Sequence, residues 1–142
     1  MKIFLDTSSL FKLYHREADT DIIEKIFSKY KVTNVYLSEI TKVEFTSTIW
    51  KKVRTKEITE AVAKTTLELF DTDLIKYTFI ASNSLLIEQA RLLTSKYGLN
   101  GLRTLDSIQL SSAISLKSEV DLFVTSDKLL KSLLEIEGLT AL

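Results

Sequence analysis

Four acidic residues far apart in the chain, Asp6, Glu44, Asp106 and Asp127, are the side chains whose types could do chemistry together. There is no cysteine and only one histidine, His15. Thiolate metal sites are therefore excluded, and histidine-based zinc sites and serine–histidine triads nearly so. Acid–base or metal chemistry must rest on Asp and Glu. Carboxylates gathered on one rim repel and raise one another's pKa unless a cation neutralises them. A hard divalent ion that takes oxygen ligands and keeps several waters, Mg²⁺ or Mn²⁺, is the natural counter-ion. Such an ion activates water and polarises a phosphoryl oxygen, and phosphodiester hydrolysis is the reaction that suits it.

Taken singly, each acid has a plainer reading. Asp6 reads as the start of a helix, and Glu44, three residues after Thr41, as part of a capping box. Asp106 suits the positive end of a helix dipole, and Asp127 in Thr-Ser-Asp-Lys suits a turn or cap. The chemical reading therefore depends on the elements that would bring the four together.

Those elements alternate. Ile3 to Leu5 predicts a short strand that ends at Asp6, with Leu10, Leu13 and Tyr14 at helical spacing beyond it. A helix is expected over 20–30, then a strand at Val35–Leu37 and a helix from a cap at Ser38 to about Lys52. Thr59 caps a further helix whose apolar stripe is Val62, Thr66, Leu69 and Phe70. Ile75–Ile80 reads as extended, and Asn83–Tyr97 as a helix closed by a left-handed Gly98. Thr104 caps the next helix, Leu122–Thr125 forms a buried strand, a helix follows over 128–137, and 139–142 suits a last strand. Short apolar strands alternating with helices predict a three-layer α/β domain, its mainly parallel sheet of about five strands flanked by helices. Proline is absent and glycine occurs only at 98, 101 and 138, so residues 1–142 read as one domain without a linker. In such sheets ligands gather beyond the carboxyl ends of the strands. Asp6 and Asp127 follow strands directly, while Glu44 and Asp106 open helices that begin on that same edge.

Nineteen basic and nineteen acidic side chains balance to zero, so a nucleic-acid footprint, if present, is local. Lys51, Lys52, Arg54 and Lys56 form one candidate, although cations also suit a helix C-terminus. The first apolar run is too short for a signal peptide and no stretch reaches membrane-spanning length, so a cytoplasmic location is expected.

The stretches LDTSSLFKLY, SEITKVEF, LRTLDSIQLSSAI and FVTSDKLL, in that order, resemble the four signature segments of the PIN domain. The likeness runs from residue 3 to about 139 and is nearest to the VapC-type toxins of toxin–antitoxin pairs. It implies Asp6, Glu44, Asp106 and Asp127 as the acidic quartet, with Asp6, Asp106 and Asp127 on Mg²⁺ or Mn²⁺. It also implies Thr125 as an orienting hydroxyl and Ser8 as a hydrogen-bond partner of Asp6. Arg103, three before Asp106, reads either as a phosphate contact or as a structural ion pair. Further implications are cleavage of single-stranded RNA, a small antitoxin that fills the groove, and a homodimer. A dehalogenase-like phosphatase would need a second Asp where Ser8 stands. A non-catalytic PIN module, or a PIN nuclease of RNA processing without a toxin role, are the other readings. Lys12 and Glu17 resemble common positions of the toxin branch, and a solvated face explains them as well. Phe11, Tyr14 and Trp50 are candidates for stacking on bases, Phe11 or Tyr14 nearest the groove; His15 suits the surface.

Overall fold

The first apolar run becomes an inner strand of the sheet. In the computed structural model, which describes residues 1–142, β1 (Lys2–Leu5) lies between β2 (Asn34–Ser38) and β4 (Leu122–Val124), and β3 (Thr78–Ile80) flanks β2. Every pairing is parallel, with Ile3 opposite Val35 and Leu122, and Tyr36 opposite Thr78. Parallel strands need crossover connections that cover both faces of the sheet. Seven helices supply the layers: α1 (Thr7–Phe11), α2 (Thr20–Lys29), α3 (Thr41–Arg54), α4 (Glu60–Asp73), α5 (Ser84–Lys96), α6 (Thr104–Ser115) and α7 (Lys128–Ile136).

Alternation along the strands divides the core in two. Ile3, Leu5, Leu37 and Val124 pack against Leu10, Ile23, Ile26, Phe45, Ile49 and Phe70 from α1 to α4. Phe4, Tyr36 and Phe123 pack against Leu110, Ala113, Leu116, Leu130 and Leu133 from α6 and α7. The three-layer α/β architecture follows.

Some local expectations change. The segment 139–142 runs beside β4, with backbone hydrogen bonds at Thr140 and Leu142 and a parallel bridge between Ala141 and Phe123. It forms no regular strand, so the sheet expected to have about five strands has four. Ile75 does not begin a strand; Leu74–Lys76 is a 3₁₀ turn that carries α4 into β3. Ser38 ends β2 instead of capping α3, and Thr41 is already helical, so no capping box joins Thr41 to Glu44. Arg103, not Thr104, is the cap position of α6. α4 buries Ala63 and Phe70 and leaves Val62 and Leu69 exposed. Its inward line is set by Phe70 stacking on Phe45 at a centroid distance of 4.1 Å. The left-handed glycine after α5 is Gly101 (φ 89°), because a 3₁₀ turn at Gly98–Asn100 prolongs the helix end.

The order β3-β2-β1-β4 places a switch point between β1 and β4: the chain leaves β1 toward β2 on one side and returns to β4 on the other. The loops that follow those two strands diverge and leave a crevice at their carboxyl ends. Asp6 follows β1 and Asp127 follows β4.

Candidate active site

Asp6 is the buried anchor of this crevice. Its backbone N–H donates to the Val124 carbonyl across the β1–β4 pair, and its side chain caps α1 by accepting from the Ser9 N–H at 2.9 Å. Ser8 Oγ donates to the same carboxylate at 2.8 Å, and Thr125 Oγ1 donates to Oδ2 at 2.6 Å. Two relays reach it from the loop after β4. The Asp127 N–H donates to Thr125 Oγ1, and the Ser126 N–H to Ser8 Oγ. Burial pushes the Asp6 carboxyl up from its ordinary value, while the bonds from Thr125, Ser9 and Ser8 pull it down. Three donated hydrogens leave part of the carboxylate's accepting capacity free.

Glu44 sits in the first turn of α3 and is held through one oxygen. Its Oε1 accepts from Thr7 Oγ1 at 2.9 Å and from Gln109 Nε2 at 2.8 Å; Oε2 has no protein partner. Thr41 Oγ1 joins the group, 3.1 Å from Thr7 Oγ1 and 3.1 Å from Gln109 Nε2. Asp127 caps α7 through Oδ1, which accepts from the Leu130 N–H at 2.7 Å, and its second oxygen is also free. Asp106, in the first turn of α6, accepts no hydrogen bond; its only ionic neighbour is Arg103, whose Nε lies 4.0 Å from Oδ2. Burial raises the Asp106 carboxyl above the ordinary range. The charges of Asp127, Glu44 and Asp6 raise it further, and only Arg103 opposes them.

The structure thus brings Asp6, Glu44, Asp106 and Asp127 into one electrostatic neighbourhood, with Ser8 and Thr125 hydrogen-bonded to Asp6. Each acid also fills the plainer cap or first-turn role, so the two readings coexist. The donor set is all oxygen and carries repelling charge, which fits a hard divalent cation. No three of the acids are gathered tightly enough to hold an ion unaided.

Several side chains differ from their expected places. Lys12 is buried, not solvated, and its Nζ bonds Asp19 and Ser126, bracing the loop that carries Asp127. Tyr14 turns away from the crevice to bond Tyr77 and Asp73. Phe11 lines a cleft with Ser8 and Glu44, but only its edge is accessible at 3% exposure. Within the basic cluster, Lys52 is taken by Glu57 and Glu17 and lies over the Phe11 ring. Thr7, Gln109 and the role of Thr41 escaped the sequence reading. Their one signal is position: Thr7 follows Asp6, Thr41 is one turn before Glu44, and Gln109 one turn after Asp106.

With this geometry in place, the chain can be set beside known proteins. The PIN domain model matches residues 3–133. No curated protein matches in sequence. Among solved structures it is similar to VapC20 from Mycobacterium tuberculosis, a sarcin–ricin-loop-cleaving toxin, with a TM-score of 0.69 at 17% identity, covering 92% of this chain and 94% of that one. It is similar to FitAcB from Neisseria gonorrhoeae (TM-score 0.70, 14% identity, 98% of this chain and 95% of that one). A third likeness is to VapBC2 from Rickettsia felis bound to a DNA fragment from their promoter, with a TM-score of 0.64 at 16% identity over 100% and 98% of the two chains. At such identities the likeness establishes the fold.

The raised carboxyls make a stability prediction. Asp6 and Asp106 hold their protons more tightly in the fold than the ordinary carboxylate, whose pKa is about 4. Above that pH the native chain binds more protons than the unfolded one, so stability falls as pH rises through the folded titrations. Asp106→Asn removes one repelling charge and no hydrogen bond. At pH 7 in EDTA it should melt above the wild type, with the gap closing toward pH 4. Thermal unfolding across this range is the check, and a lower melting temperature at pH 7 would remove Asp106 from the repelling group.

Proposed function

The chain belongs to the PIN domain family, and from that premise we propose that it is a divalent-cation-dependent endoribonuclease for single-stranded RNA, the toxin of a toxin–antitoxin pair. The observation that carries the reading is the Asp106 carboxyl, on which burial and the charges of Asp127, Glu44 and Asp6 converge at the switch point of the sheet. RNA as substrate is supported by the signature segments and by the likeness to a sarcin–ricin-loop-cleaving toxin.

Asp6, Asp106 and Asp127 would hold Mg²⁺ or Mn²⁺, which when bound neutralises charge and activates water against the phosphodiester. The chain's own groups set the stage. Ser8, the Ser9 N–H and Thr125 fix Asp6, and the Leu130 N–H holds one oxygen of Asp127. Glu44 offers its unpartnered Oε2 as an acceptor for a water hydrogen. Arg103, largely exposed beside Asp106, would meet a phosphate. An antitoxin is supported by the groove next to Glu44, where Val43 and Leu105 stand exposed beside Ile40. Leu85, Leu92 and Leu99, exposed on and after α5, offer an apolar face to a second copy in a homodimer. No helix is long and apolar enough to cross a membrane.

A PIN fold kept for binding alone is the second reading, favoured by the lack of any three acids able to hold an ion unaided. One assay separates the two. Purified protein should cleave single-stranded RNA with Mg²⁺ or Mn²⁺ and stop in excess EDTA. Asp6→Asn and Asp106→Asn should each lose about 100-fold or more in rate, the scale of several kcal/mol of transition-state stabilisation. Cleavage that persists in EDTA contradicts the metal, and a folded wild type inert with both ions supports the binding module. The toxin role is tested in cells. Induced expression should arrest growth, and co-expression of a small gene product encoded beside it should restore growth; normal growth under strong induction would remove that role.

A further inference from the structure

Gln109 lies one helical turn beyond Asp106 on α6 and is almost wholly buried, at 3% exposure. Its Nε2 is 2.8 Å from Glu44 Oε1, and 3.1 Å from each of the Thr7 and Thr41 hydroxyls. Its own Oε1 has no partner at all. An amide nitrogen has two hydrogens for these three acceptors, and the bond to the charged oxygen is both the shortest and the strongest kind. Reversing the amide would set its oxygen against the Glu44 carboxylate and bury both N–H groups without acceptors. The carboxylate therefore fixes which way the amide points.

A buried carbonyl without a partner is unfavourable, and leucine at this position would avoid it. The unsatisfied end faces away from Glu44, while the donating end is spent on it. We infer that Gln109 is a positioning residue for Glu44: together with Thr7 it grips Oε1 from the interior and leaves Oε2 to act in the crevice. The inference rests on the nuclease reading above. The same amide ties α6, which carries Asp106, to α3, which carries Glu44, and so fixes the spacing of two acids that would otherwise repel.

The amide signal and a kcat change without a KM change separate this role from that of a purely structural glutamine. Wild type, Gln109→Leu and Glu44→Ala decide the matter. Proton–nitrogen NMR of the wild type should show a side-chain amide, assigned to Gln109 by its loss in Gln109→Leu, with one proton shifted downfield and slow to exchange. In Glu44→Ala that proton should move upfield and exchange faster. Gln109→Leu, still folded, should lose about 10- to 100-fold in kcat with KM within about twofold, the scale for removing a group that orients an active-site side chain. An amide signal indifferent to Glu44→Ala, or wild-type kcat in a folded Gln109→Leu, would each overturn the inference. If the wild type cleaves no RNA, the nuclease reading fails by itself, and the amide signal still decides whether Gln109 holds Glu44.

Discussion

Four carboxylates on one rim repel one another, and much of the polar detail in this fold answers that repulsion. Asp106 carries the strain most openly, raised by burial and by the charges of Asp127, Glu44 and Asp6. A core of this size would be better packed with neutral side chains there, because buried like charges oppose folding. The fold holds the arrangement through rigid elements: Asp6 is pinned by the β1–β4 pair, and the other three by the first turns or cap of α3, α6 and α7.

Hydrogen-bond donors are shared out unequally among the acids. Asp6 receives three, Glu44 two on a single oxygen, Asp127 one and Asp106 none. Buried Asp6 thus has the most support, and Asp106 keeps both oxygens free. That gradient runs from an anchor held by three donors to a carboxylate held by none. Thr125 and Ser8 serve both ends of it, since each donates to Asp6 while accepting from the loop that carries Asp127. Lys12 braces the same loop from beneath. Small displacements of that loop would be felt at Asp6.

The parallel α/β plan was legible because apolar triplets such as Ile3–Leu5 and Leu122–Val124 alternate with helical spacing, and strand ends then locate Asp6 and Asp127. Glu44 and Asp106 could be placed on the same edge by chain direction alone. Gln109 could not be read, since a neutral amide within a helix carries no sign of its remote partner on α3. Lys12 was misread for a similar reason: its partners Asp19 and Ser126 become neighbours only after folding. The inward face of α4 was also misplaced, because Val62 and Leu69 are as apolar as the buried pair. Stacking of Phe70 on Phe45, a contact between helices, decides it. The last segment has strand-like residues and bonds beside β4 at Thr140 and Leu142, but it is too short for a regular fifth strand.

The proposed function requires that these acids form one divalent-cation site. Titration of the purified chain with Mn²⁺, followed by calorimetry or electron paramagnetic resonance, tests it most directly when wild type and Asp106→Asn are compared. Saturable binding by the wild type is expected, with affinity lower by about 10-fold or more in the variant. Equal affinity in the two chains, or no binding by a folded wild type, would contradict it.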